Sequence, residues 1–193
     1  MSLDYTDLKK GLIIVLNGEP YEVLEANFLR MQQRKGVMQT KLKNLISLKV
    51  IDYNFQPSDE IEEAEIEKID AVFIYANRGE YWFHKLNNPK ERFSLKEEVL
   101  GKKAQFLKPN TQVKAVIFKS QKEDKIISIV LPVKMDFKVI EAPPALKGNT
   151  AQGGSKQVVI ETGAKITTPL FIETGDIIRI NTETEEYVER VNK

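Results

Sequence analysis

Three observations predict an all-β fold for this chain of 193 residues. Apolar and aromatic residues recur in short runs with an every-second-residue alternation, and turn-forming residues such as Asn17-Gly18 and Asn77-Arg78-Gly79 separate those runs. Only one stretch, residues 94–107, carries helical signals. Length alone leaves the number of domains open, although barrels of about 60 residues can fold alone and would fit three times.

Residues 12–16 form an apolar run, Asn17-Gly18 is a strong hairpin signal, and Tyr21, Val23 and Leu24 lead on to Phe28. A β-hairpin therefore starts the fold. Strand character returns at residues 37–42 and 46–50, which leaves residues 29–36 as a polar, basic connection that reads as an exposed loop. The first domain is expected to end near Glu63. Strands follow at 69–76, 80–84, 112–118 and 125–131, with turns at 77–79, 87–89 and 120–124. Residues 94–107 are predicted as a helix, with Ser94 and Glu97 as a capping box and Gly101 as a stop. Several strands around one short helix resemble a Greek-key barrel of the oligonucleotide-binding type. A linker is expected near Pro132. Beyond it, strands are predicted at 135–140, 157–160, 164–172, 176–181 and 187–191, with no helix. The domains expected are thus residues 1–63, 64–131 and 132–193.

Composition narrows the function classes. The chain is 41% hydrophobic and 30% charged, too apolar for a disordered protein. Cysteine is absent, which excludes disulfides, thiolate nucleophiles and cysteine zinc sites. The start, MSLDYTDLKKG, is acidic and polar where a signal peptide is basic and then apolar, so a cytoplasmic location is expected, without membrane attachment. A formal net charge of +1 conceals blocks of opposite sign. Residues 27–51 hold six bases (Arg30, Arg34, Lys35, Lys41, Lys43, Lys49) and no acid, whereas residues 52–70 hold eight acids against Lys68. The basic block suits phosphate.

Against these predicted elements stand several sequence patterns. Leu146-Lys147-Gly148-Asn149-Thr150-Ala151, Gly153-Gly154, Lys156, Val158, Glu161-Thr162-Gly163-Ala164, Pro169-Leu170-Phe171-Ile172 and Gly175 run in order, with Glu186-Tyr187 and Arg190 near the end. Leu12, Gly18-Glu19-Pro20-Tyr21 and Lys41-Leu42-Lys43-Asn44-Leu45 lie in the first domain. With these the chain resembles the bacterial elongation factor P family over essentially its whole length. The resemblance implies an SH3-like (KOW-type) N-terminal barrel followed by two OB-fold barrels. It also implies a monomeric, non-enzymatic factor without cofactor or metal, which binds the ribosome between the peptidyl and exit sites. There it touches ribosomal RNA, the peptidyl-tRNA and the exit-site codon of the mRNA, and relieves stalling at consecutive prolines. The peptide-bond chemistry stays with the ribosome, and the factor contributes placement of the tRNA end, where an error of about 1 Å can cost roughly a hundredfold in rate.

The resemblance assigns the site residues. The loop of Met31, Gln32, Gln33, Arg34, Lys35 and Gly36 is expected at the tRNA 3′ end, and Arg30, Lys41 and Lys43 on RNA phosphates. Gly148, Asn149 and Thr150 are expected at the exit-site codon and ribosomal RNA, and Tyr187 and Arg190 at a C-terminal ribosome contact. Family tips usually read Pro-Gly-Lys-Gly, with the lysine, or an arginine in a sister group, commonly modified. Counted without gaps from Phe28 and from Lys41-Leu42, Gln33 falls at that position, and glutamine cannot take those modifications. A competing alignment matches Lys35-Gly36 to the family Lys-Gly but needs compensating insertions. The ungapped register is preferred because loop length fixes hairpin geometry. It implies an unmodified tip in which Gln33 hydrogen-bonds the tRNA end. Asn149 stands where the family usually has aspartate, and Thr168 replaces a valine.

The remaining features read as structural. Acids 59–70 lack the turn glycine and ligand spacing of a calcium loop. His84, the single histidine, reads as core packing or a simple hydrogen bond. Tyr75, Tyr81, Trp82 and Phe83 read as core aromatics rather than base-stacking groups. Gly153-Gly154-Ser155-Lys156 lacks phosphate-loop spacing. A general single-strand RNA-binding protein on the same barrels, which the near-neutral charge disfavours, and a protein-interaction scaffold remain the alternatives.

Overall fold

The computed structural model describes residues 2–30, 36–120, 122–144 and 154–191, and almost all of its regular structure is β. Three antiparallel-paired sheets follow one another along the chain. The first is built from β1 (Ser2–Leu3), β2 (Ile13–Leu16), β3 (Glu19–Leu29), β4 (Val37–Asn44), β5 (Val50–Phe55) and β6 (Ile61–Glu63), in the order β1-β6-β2-β3-β4-β5. Asn17 and Gly18 both have positive φ (54° and 78°) and join Leu16 to Glu19 in the two-residue turn that their sequence demands. On β4 the alternation is strict: Met38, Thr40, Leu42 and Asn44 are buried, while Gln39, Lys41 and Lys43 face outward. The core behind them is Leu8, Ile14, Val23, Met38, Leu42, Phe55 and Ile61. Ahead of β2, Asp4 caps a 3-10 turn (Tyr5–Asp7) through a reciprocal capping box with Asp7.

One expected strand of this domain is absent. Residues 45–47 form a turn, and β5 begins only at Val50. The cause is Asn44, whose buried Oδ1 accepts hydrogen bonds from the backbone N–H of Ile46 (2.8 Å) and Ser47 (2.7 Å). An asparagine that binds its own following amides competes with the sheet ladder for them.

The second sheet contains β7 (Ile66–Asn77), β8 (Glu80–Lys85), β9 (Asn88–Lys96), β10 (Gln112–Phe118) and β11 (Lys125–Val130), in the order β11-β10-β7-β8-β9. Between β9 and β10 lie α1 (Glu97–Leu100) and a 3-10 helix (Gly101–Phe106). The helix expected over residues 94–107 is thus shorter, and its capping box does not form. Ser94 belongs to β9, where it pairs with Trp82, and the N-cap position is held by Lys96 without a side-chain bond. The Glu97 amide is satisfied instead by the carbonyl of Gly79 (2.9 Å). β9 itself escapes prediction because Asn88-Pro89 reads as a turn. As the outermost strand of its sheet, β9 tolerates a proline near its start.

The third sheet contains β12 (Lys134–Glu141), β13 (Ser155–Ile160), β14 (Lys165–Pro169), β15 (Ile177–Asn181) and β16 (Glu186–Arg190), ordered β14-β13-β12-β15-β16. From its other edge this is the same order as the second sheet, with the strands counted from each sheet's own first. Both are therefore the five-stranded arrangement of the oligonucleotide-binding barrel. The chain divides into two compact units, Met1–Ile69 with Ala115–Ile129, and Asp70–Lys114 with Val130–Lys193. Among the described residues, no helix is long and apolar enough to cross a membrane.

Candidate RNA interface

The β3–β4 hairpin is the element that carries the basic block. Its paired strands run outward in register from Tyr21↔Asn44 to Leu29↔Val37, with a bulge between Val23 and Glu25. The inner side of the arm is apolar as far as Phe28, opposite Met38. Met38 is buried, but Phe28 is 49% exposed because it lies beyond the core, where it meets Tyr5 at 6.1 Å between ring centroids. Gly36 sits under the same ring: a Cβ there would collide with Cζ and Cε2 of Phe28, the latter at 2.7 Å, and lie 3.5 Å from the Tyr5 hydroxyl. Tyr5, Phe28 and Gly36 thus form a buttress at the base of the loop, which sequence patterning missed because the contact joins the N-terminal turn to the arm.

Arg30 is exposed at the end of β3, and among the described residues it forms no ion pair. Lys41 and Lys43 are on the outer side of β4, but the block that is acid-free along the chain is not acid-free in space. Register sets Glu25 and Asp52 on either side of Lys41, and Glu22 beside Lys43. The Lys41 Nζ lies 3.7 Å from the Glu25 carboxylate. An RNA phosphate at Lys41 would compete with that carboxylate, whereas Arg30 and Lys43 form no ion pair among the described residues. Met31, Gln32, Gln33, Arg34 and Lys35 lie outside the described residues, as do Gly148, Asn149 and Thr150.

Tyr187 and Arg190 are both on β16, in the edge strand of the third sheet. Tyr187 borders an open hollow of about 1020 Å³ together with Lys165, Thr167, Phe171 and Glu186. Phe171 is exposed, and the Arg190 guanidinium lies over its ring at 5.5 Å. The same guanidinium is 3.7 Å from Asp176. Arg190 is therefore partly exposed between the Phe171 ring and the Asp176 carboxylate.

His84 is half-buried, and its Nδ1–H donates to the Lys85 carbonyl (2.9 Å), a simple hydrogen bond. Phe83 is fully buried against Phe73 and Phe93, but Tyr75 is exposed, contrary to the core role expected for it. The bulge between Phe73 and Tyr75 reverses the facing of β7 there, and a bulge leaves no mark in the alternation of a single strand. Among the described residues, no group of three or more His, Asp or Glu side chains is arranged to hold a metal ion.

Residues 4–61 match the family model described as the elongation factor P KOW-like domain, and residues 135–190 match the elongation factor P C-terminal domain. Elongation factor P of Pseudothermotoga lettingae is 40% identical over 184 residues, covering 95% of this chain and 97% of that protein. Elongation factor P of Thermotoga petrophila is 40% identical over 188 residues, 97% of this chain and 99% of that protein. Among solved structures, the eukaryotic translation initiation factor 5A from Methanococcus jannaschii aligns with TM-score 0.47 and 14% identity, over 67% of this chain and 95% of that one.

Proposed function

This chain belongs to the elongation factor P family, and from that premise we propose that it binds the ribosome between the peptidyl and exit sites and positions the peptidyl-tRNA there. It is a translation elongation factor rather than a classical enzyme. In this reading it works in the cytoplasm as a monomer of three domains, residues 1–63, 64–131 and 132–193. It stimulates peptide-bond formation and relieves stalling at consecutive prolines.

The observation that carries the reading is the β3–β4 arm. Its apolar side is braced by Tyr5 and Gly36 against Phe28, and its strands lead to the segment that resembles the family tip. A braced arm suits a factor whose contribution is placement, because fixing a reactant before the reaction removes orientational freedom from the barrier. The tip acts unmodified: Gln33 hydrogen-bonds the tRNA end through its amide, while Arg30, Arg34 and Lys35 take phosphates. Gly148, Asn149 and Thr150 approach the exit-site codon, with Tyr187 and Arg190 as a further RNA contact.

The test is peptide-bond formation on ribosomes stalled at consecutive prolines, with recombinant protein made in the absence of any modifying enzyme. Acceleration by the wild type that Gln33→Ala abolishes is expected. Absence of acceleration by the wild type, or an adduct on Arg34 or Lys35 in mass spectra of the native protein, would remove the unmodified tip from the proposal.

A further inference from the structure

We propose that the outer face of β7, β8 and β9 is a nucleobase-stacking site for single-stranded RNA, separate from the tip arm. Tyr75 is 44% exposed and lies beside Trp82 across the β7–β8 ladder, with ring centroids 6.3 Å apart and planes within 21°. A structural role does not account for the arrangement, because the inner face of the same strands is already filled by Phe73, Phe83 and Phe93. The near-parallel pair instead leaves the Tyr75 ring at the surface beside the half-buried Trp82, and an exposed aromatic ring is the kind of platform on which bases stack irrespective of sequence.

The surroundings supply the rest of such a site. Ser94 is opposite Trp82, Arg92 is opposite His84, and Lys96 is opposite Glu80, while Glu97 and Glu98 share with Lys96 and Arg78 the hollow beside the turn. Among the described residues, neither Arg92 nor Lys96 forms an ion pair, which leaves both available to phosphate. The place in the fold agrees. In barrels of this strand order, oligonucleotides lie on the face of the second and third strands and against the loop between the first and second. Here those are β8, β9 and the turn of residues 77–79, which carries Arg78. Nucleic acid is therefore favoured over a protein partner, which a small aromatic area beside the unpaired Arg92 and Lys96 serves less well. The inference shares with the function proposed above only the premise that RNA is the partner.

Trp82 is the single tryptophan of the chain, so its fluorescence reports on the site directly. Titration of the full chain with short oligouridylate and oligoadenylate at low salt is expected to quench that fluorescence to saturation. Tyr75→Ala is expected to weaken binding at least about fivefold, the lower end of what a stacked base contributes. Tyr75→Phe, which keeps the ring, is expected to bind as the wild type does and controls for folding. Anisotropy of a labelled oligonucleotide should show the double variant Arg92→Ala/Lys96→Ala with a shallower salt dependence, by about 0.7 for each phosphate that is no longer neutralised. No quenching by either oligonucleotide, or affinity unchanged in Tyr75→Ala, would overturn the proposal. So would loss of ribosome binding in Tyr75→Ala with oligonucleotide binding intact, which would give the face to a ribosomal protein. Because the oligonucleotide titrations use no ribosome, a tip loop that fails on stalled ribosomes leaves their result standing, and the converse also holds.

Discussion

At the scale of single residues the proposed interface calls for two kinds of side chain, those that carry charge and those that aim it. Gly36 is of the second kind, since the Phe28 ring occupies the space its Cβ would need. Phe28 is half-exposed and free to swing away, so Gly36→Ala should cost little stability, about 1 kcal/mol at most in urea unfolding. It does so by breaking the Tyr5 contact and re-aiming the arm, and misplacement of about 1 Å is enough to cost a large factor in a positioning reaction. Gly36→Ala is therefore expected to reduce peptide-bond acceleration on stalled ribosomes by tenfold or more while leaving the unfolding midpoint nearly unchanged. Equal losses in both measurements would mean that the glycine serves the fold alone. Among the charges, Arg30→Ala should reduce ribosome affinity more than Lys41→Ala, because Lys41 is already shared with Glu25. Salt titration of ribosome binding separates the two, and the reverse ranking would put the phosphate on the outer side of β4.

At the scale of elements, what was legible in the sequence was whatever depends on neighbours along the chain. The turns at residues 17–18 and 77–79 could be read because only a few residue types accept positive φ at consecutive positions, and both turns sit where expected. The resemblance carried the order of barrels, which alternation by itself did not fix. Features governed by pairing partners distant in sequence were misread. Ser94 looks like a helix cap until Trp82 claims it for β9, and the basic block looks free of acids until the β3–β4–β5 register brings in Glu25 and Asp52. Residues 46–50 failed for a different reason, a local one in which the Asn44 side chain wins against apolar β propensity. Asn44 is buried, and it also donates from Nδ2 to Glu19 (2.6 Å), so it joins the β4–β5 turn to the start of β3. Asn44→Ala would leave the amides of Ile46 and Ser47 and the Glu19 carboxylate without this partner, at about 1–3 kcal/mol for each group that water does not reach. A total loss of about 2 kcal/mol in urea unfolding is expected. A loss below about 0.5 kcal/mol would show that the turn holds by its backbone bonds, Leu48 N–H to the Asn44 carbonyl and Asn44 N–H to the Lys49 carbonyl.

At the scale of the whole molecule, the repeated strand order raises the question of what ties one barrel to the next. Within the unit of residues 70–114 and 130–193 the clearest tie is Lys108, just past the 3-10 helix. Its Nζ donates to the Asp136 carbonyl (2.8 Å) and to Glu161 Oε1 (2.9 Å), and it lies 5.1 Å from the centre of the Phe137 ring. Partial burial pushes the Glu161 carboxyl up, but the hydrogen bonds from Lys108 and from the Lys138 amide outweigh it and hold the group below its ordinary value. Asp136 is likewise held low, chiefly by its hydrogen bonds to Arg179. A carboxyl depressed in the folded state stabilises fully above its unfolded value and loses that contribution as pH falls through the folded one. With ordinary values of 4.5 for Glu161 and 3.8 for Asp136, the chain should keep its stability down to about pH 5 and lose it progressively below. Lys108→Met separates the tie from general acid unfolding, since it removes the ammonium and keeps an apolar chain over Phe137. At about pH 7 the variant should unfold at lower urea than the wild type, because Glu161 loses its partner. As pH falls through the depressed folded-state value of Glu161 the gap between the two midpoints should narrow, since a protonated Glu161 no longer needs a cation. A gap that stays constant over that fall would assign the role of Lys108 to its stem and to the Asp136 carbonyl, and the two barrels would then be joined by packing and a neutral acceptor rather than by charge.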